Sequence, residues 1–329
     1  LFIHACAGDY DSRIFSITPI SGKIATFTFQ KRGPYMSDYI ASALSRDEHF
    51  RIFAADATQT VREAQRRHDT WSASSAALGR TLVATALLAA SGLKNADDML
   101  TVRIKGDGPV GALVTDGTNV GTVRGYVEEP HVNLPLNLVG KIDVARAVGK
   151  RGLLAVTKDI GVGDPFTGQV PLVSGELAED FTYYLAKSEQ IPAAVGLSVF
   201  VNADNTIQVA GGFMLQALPG ASDAELSELE ANVKTLPLVS ELLKSGLTPE
   251  QIIQRIAGDE PVQFLDAQPL KFACNCSKEH FGDIMATLPH AQLQEMIDQD
   301  GGAETTCKFC GNQYHYSVAD LEALMARNE

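Results

Sequence analysis

Four of the five cysteines in this 329-residue chain lie near its C-terminal end, in two pairs. "FACNCSKEHF" carries Cys274 and Cys276, and "TTCKFCGNQYHY" carries Cys307 and Cys310. Two nearby thiol pairs supply four sulfurs to a tetrahedral site, and Zn²⁺ is the redox-inert ion that such a site selects among thiols kept reduced. A Cys-x-x-Cys turn followed by glycine, as at Gly311, forms a knuckle that aims two thiolates and backbone N–H groups at one ion. The Cys-x-Cys pair is less usual. A strand would put positions i and i+2 on one side, so that both sulfurs reach the same ion. Four cysteines fill the coordination sphere and leave no position for a reactive water, which points to a structural rather than a catalytic metal. His280 and His315 lie close enough in sequence to replace a thiolate. With four cysteines present, both are expected at the surface or behind the ligands. The competing reading keeps the two pairs as thiols without a metal.

Thiol pairs also carry redox chemistry. Once a metal leaves, neighbouring thiols can oxidise to a local disulfide, and thiolates are the form that oxidants attack. The intervening residues predict two short helices, "SKEHFGDIMATL" with Ser277 as cap and "PHAQLQEMID" with Pro289 in its first turn. "SVADLEALMA" adds a third, with Ser317 and Asp320 as a capping box. So small a unit has little core of its own, and a metal would hold it together.

The rest of the chain must position these thiols. Its apolar share of 45% and charged share of 20% are those of a globular protein. A net charge of −13 argues against nucleic acid as the main partner and against anionic membranes. No basic, apolar leader opens the chain, and "TLVATALLAASGL" is too short to span a bilayer, so it is expected to be a buried helix. Clustered thiols fit a reducing cytoplasm. No nucleophile elbow and no compelling carboxylate pair is present, so no catalytic residue is assigned. "GDGPVG" at 106–111 matches a dinucleotide fingerprint, but the alternating "ALVTDG" comes next, where a helix is required. It is expected to be a turn between strands, with no nucleotide bound.

The pattern predicts an α+β protein. Residues 1–35 look foreign to the rest of the chain and are expected to be a non-native or mis-called extension, with the start at Met36 and a helix capped by Ser37 or Asp38. A core α+β domain then runs over 36–220. "RIFAADA", "MLTVRIKG", "GALVTDGTNVGTVRGYV" and "GLLAVTKDI" read as strands, with a hairpin turn at Asp116-Gly117. "TQTVREAQRRHD", capped by Thr58 or Thr60, reads as a helix whose Arg62, Arg66 and Arg67 form a solvated face. "SASSAALGRTLVATALLAAS" reads as a central helix, and "SGELAEDFTYYLAKSEQ" as a helix capped by Ser174. A second hairpin turns at "NADN". Residues 221–265 repeat apolar positions at helical spacing and are cut by Pro237, Pro249 and Gly258 into three short helices. Helices that short are marginal alone, so this linker must dock to persist. Residues 266–329 form the zinc unit.

Taken together, "MSDYIASAL", "GDGPVGALVTDG", "GTVRGYV", "SGELAEDFTYYLAKSEQ" and the spaced cysteines resemble the redox-regulated 33 kDa chaperonin family, heat shock protein 33, from about Met36 to the end. The resemblance implies a cytoplasmic holdase, not an enzyme. Reduced, it would bind one zinc per chain through Cys274, Cys276, Cys307 and Cys310. Oxidised, it would form Cys274–Cys276 and Cys307–Cys310 disulfides, release zinc, unfold its linker, dimerise and capture unfolding proteins without ATP. Leu226, Leu229, Val233, Leu238, Leu242, Ile252 and Ile256 of the linker would then become a client-binding surface. Residues 1–35, with Cys6, have no counterpart in that pattern. Two other classes stay in view: a zinc-ribbon nucleic-acid protein and a thiol oxidoreductase using Cys307 and Cys310.

Overall fold

The computed structural model describes residues 38–327 except Val139. The expectations placed on residues 1–35, including Cys6, lie outside these. The first described element corrects the sequence reading: "YIASALS" is strand β1 (Tyr39–Ser45), not a helix. Its alanines and flanking Ser37 and Asp38 favour a helix locally. Pairing to β2 (Phe50–Asp56), a contact the local pattern does not reveal, decides otherwise. Asp38 does cap a helix, but a different one. Its carboxylate accepts from the backbone N–H groups of Gln59 and Thr60 at the start of α1 (Thr58–His68), where neither threonine side chain caps.

Helix α2 (Ser72–Gly92) is apolar all round and almost wholly buried. It is long and apolar enough to cross a membrane, yet 89% of its most apolar window is covered by protein. It lies between two sheets. Strands β3 (Met99–Lys105), β4 (Ala112–Thr118) and β5 (Thr122–Val127) succeed it as an antiparallel meander. The β4–β5 hairpin is as expected, but its turn lies at Asn119–Gly121, while Asp116 and Gly117 pair with Arg124 and Val123 inside the ladder. The "GDGPVG" segment is the β3–β4 turn. A Cβ at Gly106 or Gly108 would come within 2.0 or 2.3 Å of the Val148 or Ala147 carbonyl of α3 (Val144–Val148), so these glycines serve close packing. Strands β6 (Leu153–Asp159) and β7 (Phe166–Pro171) extend this sheet.

Helix α4 (Ala178–Lys187) is capped by Asp180, whose carboxylate accepts from the N–H groups of Val173, Ser174 and Leu177, rather than by the Ser174 hydroxyl. The hairpin of β8 (Ala193–Val201) and β9 (Ile207–Ala217) turns at Asn202–Thr206, as expected. The first sheet puts β9 between β2 and β8. Its two faces are both buried. Phe53, Ala55 and Met214 face α2, while the alternating Phe50, Ile52, Ala54, Phe213 and Leu215 face the opposite way.

That second face is covered by α5 (Asp223–Thr235), α6 (Val239–Lys244) and α7 (Pro249–Ala257), the three short helices expected from the sequence. The chain then adds β10 (Val262–Phe264) and β11 (Gln268–Pro269) beside β1. Two residues later, β12 (Lys271–Phe272) pairs in parallel with β5 of the other sheet. Where this strap crosses the β4–β5 turn, Gly121 has φ +75° and a Cβ would sit 1.7 Å from the Pro269 carbonyl. Helices α8 (Lys278–Met285) and α9 (His290–Asp300), the hairpin of β13 (Gly302–Thr306) and β14 (Gln313–Ser317), and α10 (Val318–Ala326) close on a small core around Leu293, Tyr316 and Leu321. Ser277 and the Ser317/Asp320 box cap α8 and α10 as expected.

Candidate metal centre

The Cys-x-x-Cys knuckle is the tip of the β13–β14 hairpin. The Cys307 carbonyl accepts from the N–H groups of Cys310 and Gly311, and the Cys307 N–H donates to the Asn312 carbonyl. Gly311, at φ +73°, supplies the left-handed step. Cys274 and Cys276 lie in the irregular segment between β12 and α8, not on the strand that their i, i+2 spacing suggests. The four free thiols nevertheless converge, with all sulfurs within 4.8 Å of one another. The Cys274–Cys307 sulfurs are 3.9 Å apart and the Cys276–Cys310 sulfurs 3.3 Å. A tetrahedral ion with metal–sulfur bonds of about 2.3 Å spaces its sulfurs by about 3.8 Å, so the donor set and its spacing fit a metal. Cys307 and Cys310 are buried, and the other two are half-buried.

Burial opposes ionisation of Cys276, but hydrogen bonds from the Tyr314 hydroxyl and the other thiols outweigh it and bring its pKa down to about 7. The Tyr314 oxygen is 3.2 Å from that sulfur and 2.9 Å from the Cys276 carbonyl. Burial pushes the Cys307 and Cys310 thiols up, and at Cys310 the adjoining sulfurs add to the effect. Cys307 and Cys310 therefore keep their protons unless a cation compensates the added charge. His280 is exposed, and His315 is exposed with Nδ1 3.1 Å from Glu304 Oε2, so both lie outside the cluster.

The core touches the centre in ways the sequence reading missed. Arg66 and Arg67 both bind Glu63, but Arg67 also donates to the Cys310 carbonyl at 3.2 Å and to Asn312 Oδ1 at 3.1 Å. His68 Nε2 is 3.1 Å from the Phe309 carbonyl, and Arg62 donates to the carbonyls of Ile207 and Gln208. The expected solvated face is therefore in large part an engaged one. Two arginines, Arg67 and Arg124, stand beside the knuckle. Arg124 on β5 reaches Cys274, Asn275 and Phe309. The clustered "RRHD" at the end of α1 was the available signal for the first of these. Nothing local to "TVRGYV" marks the second.

Of the linker residues named from sequence, Leu229, Leu242, Ile252 and Ile256 are buried against the first sheet. Leu226 and Val233 are half-buried, and Leu238 is 40% exposed. Leu238 borders a groove that Trp71, Leu136 and Phe200 also line.

Residues 38–317 match the family model described as Hsp33 protein, and the chain belongs to that family. It is 99% identical over 294 residues to the 33 kDa chaperonin of Lacticaseibacillus casei (strain BL23), covering 89% of this chain and 100% of that protein. It is 57% identical over 291 residues to the 33 kDa chaperonin of Latilactobacillus sakei subsp. sakei (strain 23K), covering 88% of this chain and 99% of the relative. The crystal structure of the heat shock protein 33 homolog from Thermotoga maritima superposes with a TM-score of 0.82 at 35% identity, over 89% of this chain and 99% of that one.

Proposed function

We propose that this chain is a redox-regulated molecular chaperone that holds unfolding proteins without ATP, in the cytoplasm, with its four-thiol centre as the sensor. The observation that carries the reading is the convergence of four free thiols, within 4.8 Å, directly after the strap that leads out of the helical linker. Zinc is the metal assigned, one per chain, with Cys274, Cys276, Cys307 and Cys310 as ligands. When bound, it would hold the sulfurs as thiolates and join the β13–β14 hairpin to the end of the strap.

Oxidation would convert Cys274 with Cys276, and Cys307 with Cys310, to disulfides. Each bond would take two electrons from its two thiolates, and a peroxide that accepts them, with two protons from solvent, would leave as two waters. The donors for the metal are then gone. Structural zinc contributes on the order of 10 kcal/mol to the folding of such small units, so 266–329 would lose its order first. The linker, 221–265, would come away next and leave the core, 36–220. Leu229, Leu242, Ile252 and Ile256 would then be uncovered with the sheet face beneath them. Leu226, Val233 and Leu238 would add to that surface, and the oxidised chain would pair as a homodimer.

No catalytic residue, nucleotide, membrane or nucleic acid enters this reading. The oxidoreductase alternative is disfavoured by the burial of Cys307 and Cys310 at 5% and 2% exposure and by the upward shift of both thiols, which suppresses the thiolate nucleophile. The deciding experiment measures zinc content, molecular mass by light scattering and suppression of client aggregation on one sample before and after peroxide. Release of one equivalent of zinc together with gained suppression is expected. Suppression that is equal in both states would refute the switch.

A further inference from the structure

Arg124 stands where the core sheet and both thiol-bearing segments meet. Its Nε donates to Asp116 Oδ2 at 2.9 Å, and one terminal nitrogen donates to Cys274 Sγ at 3.4 Å and to Asn275 Oδ1 at 2.7 Å. The guanidinium carbon lies 4.5 Å from the centre of the Phe309 ring, against which Tyr126 of the same strand also packs edge-on at 5.4 Å. Asn275 sits between the first two cysteines and Phe309 between the last two. The arginine is itself held. Asp116 faces it across the β4–β5 ladder, and Thr101, facing Asp116 from β3, donates to the other carboxylate oxygen at 2.8 Å. The Arg124 side chain is 21% exposed and that of Asp116 7%.

We propose that Arg124 is a positioning residue for the four-thiol centre. Its guanidinium holds the Cys274 segment and the Cys307/Cys310 knuckle in register on the outer face of the second sheet, and so ties retention of the metal to docking on the core. Four thiolates around a divalent ion carry a net double negative charge. A planar cation within hydrogen-bonding reach of one sulfur, and stacked beside the turn that presents two others, compensates that charge and fixes the spacing. The metal part of this inference rests on the reading of the thiols as a zinc site. The docking part rests on the contacts alone.

The test uses the reduced full-length chain and its variants Arg124→Gln, Arg124→Lys and Asp116→Asn/Arg124→Gln. The double variant avoids leaving the Asp116 carboxylate buried without its cation. Three quantities are read: the rate of zinc transfer to a chromophoric chelator, the energy of the thiolate-to-cobalt charge-transfer band after loading with Co²⁺, and amide exchange at 271–276 and 307–312. Zinc transfer should be about 10–100-fold faster in the Gln and double variants, in proportion to the loss of metal affinity that follows when groups that orient metal ligands are removed. The charge-transfer band should move to lower energy, exchange should rise in both segments together, and Arg124→Lys should restore part of each change. Unchanged melting of the core, with α2 amides as protected as before, separates this from misfolding. Transfer within twofold of the parent with an unmoved band overturns the proposal, as does loosening of only one segment. If the parent takes up neither zinc nor cobalt, the metal reading fails. The exchange data then decide alone, and the docking role stands only if both segments loosen together.

Discussion

His49 Nδ1, just ahead of β2, lies 2.9 Å from Glu225 Oε1 in the first turn of α5, joining the core to the start of the linker. Glu225 is also the acidic half of the Ser222 capping box. Hydrogen bonding to Glu225 raises the His49 pKa above 6.5, and hydrogen bonds from Ser222, then His49, lower that of Glu225 to about 2. A raised histidine contributes stability that is complete below 6.5 and lost as pH climbs through its folded value. A depressed carboxylate contributes stability that is complete above 4.5 and lost as pH falls toward 2. The contact should therefore be strongest between those limits. Amide exchange in α5 should be slower at pH 6 than at pH 8 after correction for intrinsic rates, and His49→Gln should abolish the difference. An undiminished pH effect in that variant would show that another group is responsible.

Metal content should be one zinc per reduced chain. Cys307→Ser should lower it well below one equivalent, because the remaining three sulfurs lose the donor 3.9 Å from Cys274. Elemental analysis of chelator-free protein checks this, and full occupancy in the variant would place the metal elsewhere.

Linker docking should depend on Ile252 and Ile256, which have no exposed surface, and hardly on Leu238. Truncating a buried isoleucine to alanine costs about 2–5 kcal/mol. Ile256→Ala should expose the linker amides in reduced, metal-loaded protein and give some aggregation suppression without oxidant. Leu238→Ala should stay within about 0.5 kcal/mol of the parent in urea unfolding. The reverse ranking would mean that the sheet face is not what holds the linker.

Asp38→Ala should destabilise the core by about 1–2 kcal/mol, the usual value of a lost helix cap, since its carboxylate serves two N–H groups of α1. Asp38→Asn should recover only part of this, because the two N–H groups bond different carboxylate oxygens and an amide offers one acceptor. Urea denaturation monitored by far-UV circular dichroism gives the comparison.

Features set by local chemistry were readable from the residues. α2 is apolar on every side, α5 to α7 are cut by Pro237, Pro249 and Gly258, and the four cysteines announce their own cluster. Features set by distant partners were not. β1 becomes a strand only because β2 and β10 flank it, and Asp38 caps a helix that begins twenty residues further on. β11 and β12 are two residues each, too short for any periodicity to show. Arg67 and Arg124 belong to the centre through folding alone, since more than 140 positions separate either from the thiol segment it touches.

The strap from β10 to β12 has a topological consequence. The linker leaves the first sheet at β9 and returns to the same sheet at β10, so the chain from Leu218 to Pro261 is a loop pinned at both ends. Melting its helices while the strap holds would free the chain only within that closed ring. Ring closure of this length forfeits on the order of 3 kcal/mol of chain entropy relative to an open tail. Release of β10, β11 and β12 would turn the ring into a tail able to extend away from the body. The strap is joined directly to Cys274, and so under the proposed switch the thiols would set how far the linker can reach as well as whether it is folded.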